Sequence, residues 1–217
     1  MHEERSVEHL KAESHTALTK VKKIIQGGGI IAYPTETFYG LGVDARNEEA
    51  VKALFSLKGR DFNKPVSILV KDETALRQVV TDVPPAAEAL IRHFWPGPLT
   101  LVFTALPALS PLLTAGTGKI GVRISSSPTA AELLAAIDCP LTTTSANPSG
   151  LPAPVTAEAV LEYFGDGLDA LLDGGELPGT LGSTVVDVTG ANVTILREGE
   201  IAAEAVVAAS RQSRSRS

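Results

Sequence analysis

The sequence predicts one α/β domain built on a twisted, open mixed sheet with flanking helices. The chain has 217 residues, 44% of them hydrophobic and 20% charged, which is ordinary for a globular protein with a substantial core. Short apolar runs alternate with segments whose apolar residues recur at helical spacing. Several of these runs are joined by loops too short for a parallel crossover, which favours a mixed sheet over a doubly wound parallel one.

Each predicted element has its own signal. Val21 and Ile24 lie on the apolar stripe of the first helix, and the glycines at 27–29 end it. Asn47 and Asp72 are the predicted N-caps of the helices that follow them. The predicted helices cover 16–26, 48–58, 73–80, 85–94, 129–137 and 156–164, and the predicted strands cover 29–34, 65–70, 99–103, 120–124, 140–146, both ends of 171–189, and 193–201.

The two termini are predicted to lie outside the domain. Residues 1–16 are polar and are expected to form a loosely docked arm, residues 17–201 the folded domain, and residues 202–217 a tail. The last residues of that tail are a Ser/Arg repeat, which predicts disorder. The sequence shows neither a secretory signal nor an apolar run long enough to cross a membrane, so we expect no membrane partner and a cytoplasmic protein.

Composition excludes some classes of site. Cys139 is the single cysteine, which rules out an intramolecular disulfide and fits a reducing compartment. With only four histidines besides, we expect no metal site built by the protein itself. The net charge of −6 argues against a surface made mainly to bind nucleic acid, although it leaves room for a local basic groove.

Four segments carry polar residues at predicted strand or helix ends. Segment 32–42, AYPTETFYGLG, places Thr35 and glycines where open α/β sheets bind ligands. Segment 57–65, LKGRDFNKP, offers cations for a polyphosphate. Segment 140–154 is rich in hydroxyls suited to anions, and GSTVVD at 182–187 opens a strand with two more. Taken alone, each segment also fits a structural reading as a polar turn, a solvated charged loop or a strand start.

Several enzyme classes are excluded by missing motifs. The chain has no Walker loop, no dinucleotide-binding glycine fingerprint after a strand and no nucleophile elbow. Glu36 and Asp187 are candidates for a carboxylate pair, but nothing in the sequence brings them together. An enzyme of this sequence that used ATP would therefore need another way to hold the phosphates.

Taken together and in order, seven segments resemble the YrdC family of threonylcarbamoyl-AMP synthases. They span roughly residues 18–201, and seven motifs in the same order are far more specific than any one of them. One departure is Asp61, which stands where many relatives have proline after the Lys-x-Arg motif. The segments are GGIIAYPTETFYGLG (28–42), LKGR (57–60), WPGPLTLVF (95–103), GVRIS (121–125), TTSANPSG (143–150), GSTVVD (182–187) and ILREG (195–199).

The resemblance implies a YrdC-like fold around a concave cavity, and a nucleotidyltransferase of the short, single-domain type. It implies that L-threonine, bicarbonate and ATP are condensed to threonylcarbamoyl-adenylate and pyrophosphate. A downstream complex would then transfer the group to tRNA. Mg²⁺ would be bound mainly through the ATP phosphates, and no organic cofactor is expected. The implied roles are catalysis for Lys58 and Arg60, L-threonine binding for Thr35, Arg123, Thr143 and Ser183, and ATP binding for Lys58, Ser145, Asn147 and Arg197.

Two alternatives remain open. One is an RNA-binding or ribosome-maturation protein that uses the same cavity for tRNA or double-stranded RNA, against which the net charge of −6 weighs. The other is carbamoyl transfer in hydrogenase maturation, although such domains belong to longer chains with cysteine-rich parts. Under the synthase reading we expect Lys58 and Arg60 to face solvent, so that alanine at either position changes stability by no more than about 1 kcal/mol. The loops 104–118 and 174–182 are candidate lids.

Overall fold

The computed structural model describes residues 7–12, 14–107, 109–179 and 181–211. Within these residues the chain forms ten strands, eight α-helices and one 3₁₀ turn, Gly165–Gly167. The strands are β1 Glu8–Lys11, β2 Ile31–Pro34, β3 Tyr39–Gly42, β4 Ser67–Leu69, β5 Leu99–Thr104, β6 Lys119–Arg123, β7 Leu141–Ser145, β8 Ala170–Asp173, β9 Thr184–Asp187 and β10 Thr194–Arg197. The helices are α1 His15–Gln26, α2 Glu48–Lys58, α3 Glu73–Leu76, α4 Pro85–Phe94, α5 Pro111–Thr114, α6 Pro128–Ile137, α7 Ala157–Phe164 and α8 Ala203–Arg211.

All of these strands belong to one mixed sheet, in the order β1-β8-β2-β3-β7-β4-β6-β5-β9-β10. Parallel pairs join β1 to β8, β8 to β2, β4 to β6 and β5 to β9. The other neighbours are antiparallel. The predicted mixed α/β sheet with flanking helices is confirmed.

Two hydrophobic cores lie on the two faces of the sheet. The larger one is covered by α2, α4, α7 and α8, and it includes Ile68, Leu101 and Val186 from the strands. The smaller one is formed by α1 and α6 over Tyr33 and Leu141. Since side chains alternate along a strand, the two cores take alternate residues of the same strands. The helices α1 and α6 cover only part of their face, and the strands beyond them carry the cavity described below.

Local signals explain where the helices begin and end. Asn47 caps α2 as predicted, because its Oδ1 accepts the backbone N–H of Ala50 at 3.1 Å. Gly59, with φ of 58°, ends the same helix in the left-handed conformation. The third helix is shorter than predicted. Asp72 caps it, but the backbone of Val80 bridges to Ala105, and this pairing draws the chain out of the helix.

The segment after Pro34 was predicted as a loop, and the structure instead forms a β-hairpin. Pro34 pairs with Tyr39, and β3 continues to Gly42 inside the sheet. A Cβ on Gly42 would lie 2.8 Å from Tyr33 Cε1 and 2.8 Å from Leu141 Cγ. This glycine therefore lets buried side chains approach the strand backbone, rather than leaving space for a ligand.

Both predicted domain boundaries need correction. Residues 8–11, placed in the polar arm, form the edge strand β1, which pairs in parallel with β8 because β8 otherwise has a free edge there. Residues 203–211, placed in the tail, form α8, whose Val206 and Ala209 are buried in the larger core. Residues 1–6 and 212–217 lie outside the described residues, so the predicted disorder of the last residues stays a prediction. None of the described helices is long and apolar enough to span a membrane.

Candidate active site

A cavity of about 410 Å³ opens over the part of the sheet that α1 and α6 leave uncovered. Its floor is a row of strand side chains that includes Ser67, Thr100, Thr143 and Val185. Each of them alternates with a residue directed to the opposite face, as Ser67 does with Ile68. The floor therefore presents small hydroxyls where a covering helix would require apolar side chains.

Gly121 keeps this floor closely packed. It lies on β6 between β4 and β5, and a Cβ there would lie 3.2 Å from Ser67 Cβ and 3.1 Å from Thr100 Cγ2. Because the position has no side chain, the side chains of Ser67 and Thr100 close over it from both sides. Across the floor, the hydroxyls of Thr100 and Ser183 are 2.9 Å apart.

The turn between β2 and β3 forms one wall, and Thr35 organises it. The Thr35 hydroxyl donates to the carbonyl of Phe38 at 2.7 Å and accepts the backbone N–H groups of Thr37 and Phe38 at 3.2 and 3.3 Å. Thr35 is 3% exposed, yet it borders the cavity. Its hydroxyl therefore shapes the turn as well as the wall.

Arg123 is a buried cation of the cavity and lies at the end of β6. Arg123 is 4% exposed, and its Nη1 lies 3.3 Å from Oε1 of Glu36. The other carboxylate oxygen of Glu36 accepts a hydrogen bond from the hydroxyl of Ser125. Neither Arg123 Nε nor Glu36 Oε1 has a hydrogen-bond partner in the described part of the chain.

Arg197 lies on the opposite wall, on β10. Its Nε and Nη2 donate to the carbonyl of Ser183 at 3.2 and 2.7 Å, and Nη2 also reaches the Ser183 hydroxyl at 3.2 Å. Burial lowers the pKa of Arg197, and the positive charge of Arg123 lowers it further. The two guanidinium groups therefore repel each other across a shared cavity.

Arg60 is the third cation of the cavity wall. Its Nη2 donates to the carbonyl of Pro65 at 2.7 Å and its Nε to that of Lys64 at 3.3 Å, so the loop after α2 fixes its direction. Burial lowers the pKa of Arg60. The carboxylate of Asp61, which follows it, accepts the backbone N–H of Asn63 at 2.9 Å.

Lys58 lies behind the cavity wall and not on it. It is 3% exposed, and its ammonium group donates to the carbonyls of Ser145 and Asn147. The pKa of Lys58 falls to about 8, chiefly through burial and secondly through the charge of Arg60. The expectation that Lys58 faces solvent is therefore wrong, because the loop after β7 folds over it.

Asn147 also supports this loop. It is 7% exposed, and its Nδ2 donates to the carbonyls of Pro148 and Leu151 at 3.1 and 2.5 Å. Lys58 and Asn147 together hold the turn from Ser145 to Leu151, which presents the Ser145 side chain to the cavity.

Seven of the nine residues predicted for the site line this cavity, and their chemical roles stay predictions. They are Thr35, Arg60, Arg123, Thr143, Ser145, Ser183 and Arg197. Lys58 and Asn147 are not among the lining residues. Sequence reasoning missed Ser67 and Thr100, although a lone hydroxyl inside an apolar strand was the available signal. The ion pair between Glu36 and Arg123 was missed as well. Asp187, the other candidate for a carboxylate pair with Glu36, forms an ion pair with Lys119 at 2.8 Å.

The two candidate lids differ in position. The described residues of segment 174–182 pass along the wall, since Gly182 lines the cavity and a Cβ on Gly179 would lie 2.9 Å from the ring of Phe38. No described residue of 104–118 lines the cavity. Cys139 is buried outside it, and burial, with the Asp44 charge second, raises the pKa of its thiol to about 12.

An α/β sheet whose uncovered face carries arginines and hydroxyls defines a protein that binds anionic ligands. A family model named Sua5/YciO/YrdC and described as telomere recombination matches residues 23–199. The chain belongs to this family.

Individual relatives agree with this assignment. A Mycobacterium tuberculosis protein, provisionally named a threonylcarbamoyl-AMP synthase, is 40% identical over 84% of this chain and 83% of its own length. The threonylcarbamoyl-AMP synthase of Pyrococcus abyssi is 37% identical over 84% of this chain and 54% of its own. A crystal structure of P. abyssi Sua5 in complex with L-threonine superposes with a TM-score of 0.89 at 33% identity, covering 94% of this chain and 60% of that one. The chain thus spans little more than half of the Pyrococcus protein.

Proposed function

We propose that this protein is a threonylcarbamoyl-AMP synthase, which condenses L-threonine, bicarbonate and ATP into threonylcarbamoyl-adenylate and releases pyrophosphate. The observation that supports this most is a single cavity that joins three arginines to a floor of hydroxyls, in a chain whose relatives bear this name. In this proposal the product serves tRNA modification in the cytoplasm and passes to a separate transfer complex.

Threonine is assigned to the side of the cavity near Arg123. A planar guanidinium binds a carboxylate through two donors, and the partnerless Nε of Arg123 is available for one of these bonds. Thr143 and Ser183 border the same cavity and offer hydroxyls for the amino acid's remaining polar groups, whereas Thr35, whose hydroxyl is already used within its own turn, shapes the wall beside the bound threonine. Arg123 is desolvated, which strengthens its attraction for a carboxylate.

The triphosphate is assigned to Arg60, Arg197 and Ser145. The backbone carbonyls that orient both arginines leave Nη1 of each without a hydrogen bond to the described residues, and this donor is available to phosphate oxygens. Lys58 and Asn147 act in this proposal through the turn at 145–151, which they hold. Their contribution is therefore to position Ser145 rather than to contact the phosphates.

Catalysis then depends on position and charge, because none of the described side chains that line the cavity is placed as a covalent nucleophile. The threonine amine attacks the carbon of bicarbonate, and water leaves as the carbamate forms. A carbamate oxygen attacks the α-phosphorus of ATP, and the bond to pyrophosphate breaks. Arg60 and Arg197 stabilise the charge that develops on the leaving pyrophosphate.

Mg²⁺ fits this arrangement as an ion held mainly by phosphate oxygens. In the described residues no group of three or more His, Cys, Asp or Glu side chains could hold a metal. Glu198 is a carboxylate that lines the cavity, so it would be available to an ion bound to the phosphates. The ion would supply neutralisation of phosphate charge.

The RNA-binding alternative is less well supported. A cavity of this volume accommodates small molecules, whereas a duplex needs an extended basic surface, and the net charge is −6. RNA binding as the main role would appear as an affinity that falls steeply with salt, without pyrophosphate release.

The deciding experiment measures pyrophosphate release from ATP by the full chain, with L-threonine and bicarbonate omitted in turn. We expect release only when both are present, together with a threonylcarbamoyl-adenylate adduct in the mass spectrum. Pyrophosphate release that does not depend on threonine would overturn the assignment.

A further inference from the structure

We propose that Glu36 is a positioning residue that holds the Arg123 guanidinium in place for the carboxylate of an α-amino acid. The inference rests on the proposed function and extends it to a residue to which the resemblance to the family assigned no role. Glu36 lies in the turn between β2 and β3, beside Thr35, and its side chain is 14% exposed.

Two residues of one segment hold the carboxylate of Glu36 in place. Ser125 donates to one of its oxygens, while Arg123 lies 3.3 Å from the other. Ser125 and Arg123 are two residues apart on one extended segment, so they hold Glu36 from a single element. Ser125 is itself fixed, because its hydroxyl accepts the backbone N–H of Ser127 at 3.1 Å. The carboxylate therefore has a defined place, and this defines the place of the guanidinium.

The charge of Glu36 also balances that of Arg123. Arg123 is 4% exposed, and an unpaired charge buried to this degree is strongly unfavourable. Its charge also acts on Arg197, whose pKa it lowers. Glu36 supplies the opposite charge that offsets both effects. Without Glu36, movement of the Arg123 guanidinium toward water and away from Arg197 would lower its free energy.

The geometry of the ion pair leaves donors of Arg123 available to a substrate. Arg123 Nη1 and Glu36 Oε1 are close enough to attract, yet the oxygen makes no hydrogen bond and Arg123 Nε has no partner in the described residues. Glu36 thus fixes the cation without using all of its donors. A substrate carboxylate can take the remaining ones, which is what a positioning residue must leave free.

The test compares Glu36→Gln with wild type in two measurements on the full chain. These are calorimetric binding of L-threonine without ATP, and pyrophosphate release with each substrate varied. Since a charge-assisted contact is at stake, we expect threonine affinity to fall roughly tenfold, with kcat and the KM for ATP changed less than about threefold. Ser125→Ala, which loosens the carboxylate without removing it, should produce the same pattern more weakly.

Asp187→Asn is the matched control. Asp187 is 15% exposed, close to the 14% of Glu36, and it pairs with Lys119 at 2.8 Å, so this variant removes a carboxylate charge of similar burial from an ion pair that does not line the cavity. Threonine affinity should be unchanged in this variant. A purely structural role for Glu36 predicts instead a lower melting temperature in Glu36→Gln, with the affinities for threonine and for ATP reduced equally.

A double-mutant cycle with Arg123→Lys tests whether Glu36 acts through Arg123. We expect Glu36→Gln to change threonine affinity less than twofold in the Arg123→Lys background. Additive losses, or an unchanged or higher affinity in Glu36→Gln alone, would refute the inference. Wild type that neither binds threonine nor releases pyrophosphate would refute the proposed function instead. Should Glu36→Gln fail to fold, Ser125→Ala and its cycle with Arg123→Lys decide the question.

Discussion

Replacing Lys58 with methionine isolates the effect of burying an ammonium group under the turn at 145–151. Lys58 is 3% exposed and donates to the carbonyls of Ser145 and Asn147. Methionine has a similar volume, carries no charge and cannot donate. The substitution therefore removes a titrating group and leaves two carbonyls without a partner.

The magnitude follows from the shift in the pKa of Lys58. Its ordinary value is 10.5, and burial, with the charge of Arg60 second, lowers it to about 8 in the fold. Each unit is worth about 1.4 kcal/mol, so the folded state disfavours the charged amine by about 3 kcal/mol. This effect is fully present below pH 8. Between about pH 8 and 10.5 the unfolded chain keeps a proton that the native chain has lost, so stability rises with pH. A neutral amine still has two N–H donors for the two carbonyls.

The assay is urea denaturation of wild type and Lys58→Met at pH 7, 8, 9 and 10. The buried side chains of Tyr33 and Cys139 oppose the trend, since their pKa values of about 12 make the folded state lose stability as the unfolded groups ionise. Both proteins share these groups, so the difference between the two unfolding free energies isolates Lys58. We expect this difference to grow in favour of wild type by about 3 kcal/mol over this range.

Two results would refute the reasoning. Parallel stability curves would mean that Lys58 keeps its ordinary pKa and reaches water, contrary to its burial. A difference that shrinks as pH rises would mean that the fold stabilises the ammonium form, as expected for a lysine held by an acidic partner. Near pH 7 the net effect of the substitution should be small, because two lost hydrogen bonds of about 1–3 kcal/mol each offset the removed charge.

Two further predictions concern the scaffold around the site. Gly42→Ala should lower the unfolding free energy by about 1–3 kcal/mol in urea denaturation, because the new Cβ would lie 2.8 Å from Tyr33 Cε1 and from Leu141 Cγ. Gly190→Ala, whose Cβ would lie 3.5 Å from its nearest neighbour, is the control, and equal losses in the two variants would contradict the packing argument. Val206→Ala should cost about 2 kcal/mol in thermal or urea unfolding, because Val206 is fully buried where α8 packs on the larger core. The exposed Glu204→Ala is its control, and a loss under about 0.5 kcal/mol for Val206→Ala would show that α8 is not part of the folded domain.

Periodicity and capping residues located most of the helices and strands. Asn47 caps α2 as predicted. The mixed sheet was predicted from loops too short for parallel crossovers, and the structure has one. The hairpin strand β3 was missed because its two glycines are typical of loops, whereas in this sheet they make room for Tyr33. Strand β1 was missed because a polar edge strand has no apolar pattern, and only the free edge of β8 selects it.

The sequence by itself determined the α/β class, the family motifs and nine candidate site residues, seven of which border the cavity. What it could not determine was which of those residues reach the cavity. Lys58 and Arg60 are two residues apart, yet one lies behind the wall and the other on it, because the loop after β7 folds over the first. Glu36 and Arg123 are distant in sequence, and the tertiary structure alone makes them an ion pair. Contacts between distant segments leave no local pattern, so the charge balance of the site is decided by packing.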